Sequence, residues 1–158
     1  MRATGLRIRR YESEDREAVW RLHNEALDEV GAHLGNGPWD DNLHCIEAAY
    51  LEAGGEFLVG VLSRRVVAMG ALRRVSFEVA EVKRMRVEPA LQGRGYGQAL
   101  LDALHRRAAE LGYSTLRLDT AVRQRAARSL YERNGYRESR RGRIGQFDCV
   151  FYERNAVV

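Results

Sequence analysis

Cysteine is almost absent from this sequence, and that absence is informative. Cys45 and Cys149 form no C-x-x-C pair and have no clustered histidines beside them, which excludes a disulfide framework and a cysteine-based zinc site. The four histidines (His23, His33, His44 and His105) are scattered, so no metal is expected. Prolines are two, Pro38 and Pro89, and lysine occurs once, as Lys83, among 26 basic residues. No apolar run approaches the ~20 residues of a membrane span. The opening MRATGLRIRRYESED lacks the apolar core of a signal peptide. There is no low-complexity tract and no period of 20–50 residues, which excludes a repeat array. What is present is an ordinary globular balance, 45% hydrophobic and 30% charged over 158 residues. One domain over residues 3–155, cytoplasmic and without a membrane partner, is the expectation.

Charge is unevenly placed. Residues 1–62 hold 6 basic and 12 acidic groups, whereas residues 63–158 hold 20 basic and 10 acidic. An anionic ligand on the C-terminal part and a cationic one near the N-terminal part would suit this asymmetry, as would arginine-rich, solvated helix faces.

Periodicity gives the order β-α-α-β-β-β-α-β-α-β-β, an α/β domain with a mixed sheet. Leu6–Tyr11 alternates as a strand. Ser13 offers an N-cap to a helix carrying Val19, Leu22, Ala26, Leu27 and Val30, which Gly31 can close. After the Gly31–Pro38 loop, a second helix over about 40–53 places Leu43, Ile46 and Tyr50 on one face. Residues 57–62, 66–75 and 79–87 read as a three-strand meander, ended by Pro89. A helix follows with Leu100, Leu101, Leu104, Ala108 and Leu111, closed by Gly112. Next come a strand ending at Asp119, a helix from about Arg123 to Arg133, and strands at 136–139 and 147–153 around an Arg140–Gly145 turn.

The chemistry is concentrated in Val87-Glu88-Pro89-Ala90-Leu91-Gln92-Gly93-Arg94-Gly95-Tyr96-Gly97, which leads straight into a helix. Alternate glycines between a strand and a helix allow close backbone approach. Their N–H groups, with the helix dipole behind them and Arg94 beside them, form a cradle for phosphate or pyrophosphate. A P-loop would need Gly-Lys-Ser/Thr, which is missing. A dinucleotide fingerprint would need a third glycine where Gln98 or Leu100 stands, although Asp119 imitates its ribose-binding acid. A plain strand-to-helix turn is the remaining reading.

Gln92-x-x-Gly95-x-Gly97 resembles the Q/R-x-x-G-x-G/A signature of the GNAT superfamily of N-acetyltransferases. Leu130-Tyr131-Glu132-Arg133-Asn134-Gly135-Tyr136 is similar to that family's L-Y-x-x-x-G-F/Y element. The resemblance spans nearly the whole chain. It implies a GNAT-type mixed, largely antiparallel central sheet flanked by about four helices, with acetyl-CoA as acyl donor.

The same resemblance implies roles residue by residue. Gln92, Gly93, Arg94, Gly95, Tyr96 and Gly97 would bind the pyrophosphate. The backbone of Met85, Arg86 and Val87 would bond the pantetheine arm, one N–H polarising the thioester carbonyl for about 3 kcal/mol. Glu81, eleven residues before Gln92, stands where histone-type members carry a catalytic base. It could equally pair with Lys83 or Arg84, or hold a substrate. Tyr131 would protonate the departing thiolate. Gln124 stands seven residues before it, where the family often has a pantetheine-binding asparagine, and its longer reach departs from that pattern.

Trp39, Asp40, Asp41 and His44 lie where the family builds its acceptor pocket. An acidic rim there would suit a cationic amine, unless Asp40 simply caps the helix. His44 and Cys45 are adjacent on a helix and point about 100° apart, which argues against a nucleophile pair. The expected activity is direct acetyl transfer to a primary amine, of a small molecule or a peptide. A homodimer is compatible with it, and no nucleic-acid partner is expected. A longer acyl donor, another acceptor nucleophile, or a non-catalytic acyl-CoA sensor would share the same motifs.

Overall fold

The computed structural model describes residues 5–29 and 38–156, with the side chains of residues 26–29, 38 and 39 left out. Seven strands form one sheet: β1 (Arg7–Arg10), β2 (Glu56–Leu62), β3 (Arg65–Arg74), β4 (Val79–Val87), β5 (Thr115–Ala121), β6 (Arg137–Ile144) and β7 (Phe147–Asn155). Their spatial order is β1-β2-β3-β4-β5-β7-β6. Every neighbouring pair is antiparallel except β4 and β5. Three α-helices cover the sheet: α1 (Arg16–Glu29), α2 (Tyr96–Leu111) and α3 (Arg125–Arg133). No described helix is long and apolar enough to cross a membrane.

The core has two layers. On one face Leu100, Leu101, Leu104 and Ala108 of α2 pack on Leu58, Ala68, Leu72 and Val82. On the other, Val19 and Leu22 of α1 join Ile46 and Tyr50 against Phe57, Val59 and Met69. With both faces covered, β2 is buried from Glu56 to Val61, and from Phe57 onward its sequence reads as an apolar run rather than an alternating one.

Four local expectations change. A 3-10 turn over Ser13–Asp15 precedes α1, and its N-cap is Glu12 rather than Ser13, because Asp15 accepts from the Glu12 N–H at 2.8 Å. The helix expected over 40–53 is a 3-10 segment, Pro38–His44, followed by one π-helical turn, Glu47–Leu51. The winding gives way there because buried Asp40 is drawn to His23 while Leu43, Ile46 and Tyr50 still reach the core. The strand through Asp119 continues to Ala121 in register with β7. The expected Arg140–Gly145 turn is mostly strand, since β6 runs to Ile144 and its arginines suit an exposed sheet edge. Val30, Gly31 and the loop to residue 37 lie outside the described residues.

Candidate active site

β4 and β5 share only three rungs, Val79–Glu81 against Thr115–Arg117, and then part. Across its other edge β4 carries a bulge. Met69 pairs with Arg86 and Ala71 with Lys83, so Gly70 faces both Arg84 and Met85. Arg84 takes φ 59°, a left-handed conformation uncommon for a side-chain-bearing residue. Gly70 makes the close approach possible, since a Cβ there would lie 2.6 Å from the Met85 sulfur. The extra residue shifts the alternation: Ala80 and Val82 face α2, and so do Met85 and Val87. Arg86 is thereby turned to the opposite face of β4.

Arg84 is braced in this conformation. Its guanidinium lies 3.6 Å from Asp40 and 3.4 Å from the Tyr50 hydroxyl. Asp40 also meets His23 Nε2 at 2.8 Å, and both side chains are almost wholly buried. Burial and the nearby Arg86 push the His23 pKa down to about 4.

The parting strands open a cavity of about 650 Å³, within the range of small-ligand sites. At one end lie Gln92, Gly93, Gly95, Tyr96 and Gly97. Gly95 caps α2 with φ 85°, and Gly93 has φ 79° with open space where a side chain would be. The first N–H groups of a sixteen-residue helix therefore face the cleft beside bare backbone, a fit for a pyrophosphate. Arg94 is exposed on this loop, and Tyr96 offers its backbone while its ring is buried. Gln92 reaches back to the Val87 carbonyl at 3.4 Å. Gln124 lines the cleft too, but its amide oxygen is taken by the Thr120 hydroxyl at 2.5 Å, leaving its NH₂ for a ligand.

Met85, Arg86 and Val87 form one wall, with Tyr131 and Asp119 also in the lining. Tyr131 is 6% exposed, packs edge-on against Tyr136, and its hydroxyl makes no hydrogen bond among the described residues. Desolvation raises its pKa to about 12, against the lowering effect of Arg86. The phenol is thus a standing hydrogen-bond donor. Asp119, on β5 beyond the last shared rung, has its pKa raised mainly by burial, with Glu81 adding to the effect.

Glu81 lies on the last shared rung itself and is absent from the cavity lining. Its carboxylate is 3.4 Å from Arg73, 3.5 Å from Lys83 and 3.7 Å from Arg117. Four strand steps separate it from Arg86 once the bulge is discounted, roughly 13 Å. The structure therefore gathers Tyr131, the Met85–Val87 backbone and the glycine cradle around one cleft, and holds Glu81 at its vertex. Asp119 is the functional candidate that strand-end reasoning passed over. The acidic rim is corrected: Asp40 is 1% exposed and engaged with His23 and Arg84, so it lines no acceptor pocket. The His44 ring lies tilted against Trp20 with centroids 4.6 Å apart, and Cys45 is exposed with its thiol directed to the Asp41 carbonyl. The Trp39 side chain lies outside the described residues. No cluster of three potential metal ligands forms among the described residues.

Comparison with known proteins agrees with this architecture. Residues 12–136 match the family described as Acetyltransferase (GNAT) family. The IAA acetyltransferase of Azospirillum brasilense is 32% identical over 139 residues, covering 86% of each chain. A GNAT-family acetyltransferase of Staphylococcus aureus Mu50 has the same fold, with a TM-score of 0.88 at 23% identity, over 96% of this chain and 99% of that one. So does yncA of Salmonella typhimurium, solved with its cofactor acetyl-CoA. Its TM-score is 0.81 at 20% identity, over 97% and 95% of the two chains.

Proposed function

Because the chain belongs to the GNAT family of acetyltransferases, we propose that it moves an acetyl group from acetyl-CoA directly to a primary amine, with both substrates bound together. The observation that carries this reading is the single cleft joining the glycine cradle to Tyr131 through the gap between β4 and β5. Acetyl-CoA supplies a thioester whose acyl carbon accepts the amine nitrogen. The residues present fit it: the cradle for the pyrophosphate, the backbone of Met85–Val87 for the pantetheine, and the Gln124 NH₂ as a further donor.

In the transfer an N–C bond forms and the C–S bond breaks; the ammonium nitrogen gives up two protons, one to the base before attack and one that ends on the sulfur, which departs as a thiol. A backbone N–H of the 85–87 segment stabilises charge developing on the carbonyl oxygen. The Tyr131 hydroxyl donates to the sulfur as it acquires charge. Asp119 takes the amine proton, since it borders the cleft and burial favours its protonated form. A second reading gives the proton to Glu81 through water, supported by its place eleven residues before Gln92 and on the same face of β4 as Arg86. Thiol release from acetyl-CoA with a panel of amines tests the activity. A protein that binds acetyl-CoA tightly but acetylates no amine would instead be an acyl-CoA sensor.

A further inference from the structure

We infer that the side chain of Arg86 is the receptor for a carboxylate on the acceptor, so that the amine acetylated belongs to a small amino acid. This rests on the acetyltransferase reading and names the acceptor class for the same cleft.

The argument begins with an unanswered charge. Arg84, the neighbouring arginine of β4 with a side chain only 9% exposed, has a carboxylate partner in Asp40 at 3.6 Å. Arg86 has none among the described residues. One Nη donates to the Met85 carbonyl at 2.8 Å, and its buried Nε has no hydrogen-bond partner. Asp40, which acts on it electrostatically, is already engaged by His23 and Arg84. Burial first and Arg84 second lower the Arg86 pKa to about 10, which leaves it charged at neutral pH. A guanidinium desolvated without a counter-ion is unfavourable in the free protein, and a bound anion would relieve the cost.

Position selects the anion. The bulge at Arg84 turns Arg86 away from α2 and into the cleft wall. Its planar fork suits the two oxygens of a carboxylate. Arg86 and Tyr131 are close enough that the arginine is the second-largest influence on the phenol. With Tyr131 at the sulfur, a carboxylate on Arg86 and the reacting nitrogen would share one cleft, as the two groups of an amino acid can. Of the acidic pair that favoured a cationic amine, Asp40 is internal and engaged.

The test compares the common L-α-amino acids with the amines that lack the α-carboxylate, using thiol release from acetyl-CoA. At least one amino acid is expected to exceed its decarboxylated partner in kcat/KM by roughly 10²-fold or more, since a buried polar receptor discriminates strongly against a ligand lacking its counterpart. Arg86→Gln should raise the KM for that amino acid to the level of the amine while the calorimetric Kd for acetyl-CoA changes less than about threefold. Calorimetric binding of the amino acid to the CoA-saturated protein should be present in the wild type and lost in Arg86→Gln. Equal use of amines and amino acids, or no acetylation of any amino acid, would overturn the assignment. So would an acetyl-CoA Kd that rises in step with the acceptor KM, because the guanidinium would then serve the donor. Wild-type protein that fails to bind acetyl-CoA would instead remove the acetyltransferase reading itself.

Discussion

Glu81 and Arg117 face each other on the last rung that β4 and β5 share, their side chains 3.7 Å apart. Arg73 and Lys83 close on the same carboxylate. The cluster sits at the vertex from which the cleft opens, and it fixes where the strands begin to part. Asp119 stands one side-chain alternation beyond Arg117, on the same face of β5, where β4 no longer pairs. A carboxylate ringed by cations is well suited to hold the vertex, and one bordering the cavity is well suited to receive a proton.

Single substitutions separate these roles. Asp119→Asn should lower turnover by roughly 10²- to 10⁴-fold at neutral pH, with part of the loss recovered at higher pH, where more of the amine is already neutral. Glu81→Gln should cost less than about tenfold in turnover and show chiefly as a lower Tm. Steady-state rates across pH together with melting curves check both. The reverse ranking would transfer the base to Glu81.

Asp119→Asn should also change the dependence of stability on pH. The folded state raises the pKa of this carboxyl, mainly by burial, so it holds a proton that the unfolded chain has already lost. Wild-type stability is therefore reduced as pH rises from the ordinary carboxylate range through the elevated folded value. The variant lacks this term and should be the more stable protein at pH 7, with the advantage shrinking toward pH 3. Urea melts at the two pH values measure it, and equal advantage at both would remove the titration of Asp119 as its cause.

The cradle depends on backbone that only glycine adopts freely. Gly95 has φ 85°, so Gly95→Ala should cost about 1 kcal/mol of stability through its Cβ alone. Gly95→Glu adds a negative charge at the end of α2, and it should abolish the rise in Tm that acetyl-CoA gives the wild type. Thermal melts with and without the donor decide this. An unchanged shift in Gly95→Glu would place the pyrophosphate elsewhere.

The features legible in the sequence are those governed by near neighbours. The cradle could be read because Gly93, Gly95 and Gly97 lie at a strand-to-helix junction, and Tyr131 because its helix carries a recognisable local pattern. Asp40 misled because its partners, His23 and Arg84, are remote in sequence while its acidic neighbour Asp41 is adjacent. The sides taken by Arg86 and Asp119 depend on two non-local events, the bulge opposite Gly70 and the parting of β4 from β5. A trace of the first remains in the apolar spacing, which runs 80, 82, then 85, 87. Nothing local marks the second.

Tyr131→Phe isolates the contribution of the hydroxyl. The ring packs against Tyr136 and Tyr152 whether or not the oxygen is present, so folding and acetyl-CoA binding should persist. A thiol ionises near pH ~8.5, which makes the thiolate a tolerable leaving group without help. The loss in single-turnover rate should therefore be about 10- to 10³-fold, smaller than that of Asp119→Asn. Because the phenol pKa is raised to about 12, no loss of activity on the alkaline limb should trace to Tyr131 below pH 10. Weaker donor binding with an unchanged transfer rate would reduce Tyr131 to a packing residue.

His23 should make the fold sensitive to mild acid. Its side chain is 2% exposed, and burial pushes its pKa from 6.5 down to about 4. The native state keeps the imidazole neutral while the unfolded chain takes up a proton below pH 6.5. Stability present above pH 6.5 is thus lost as pH falls to about 4, by about 3 kcal/mol for this group if the full difference is realised. His105, beside Tyr136 and also lowered to about 4, contributes in the same window. His23→Gln keeps an N–H to offer Asp40 and removes the titration, so its stability should decline less steeply between pH 7 and 4, the remaining slope including that of His105 and, with opposite sign, that of Asp119. Guanidinium unfolding across that range measures the slope. If the two proteins fell in parallel, the acid sensitivity would not reside at His23.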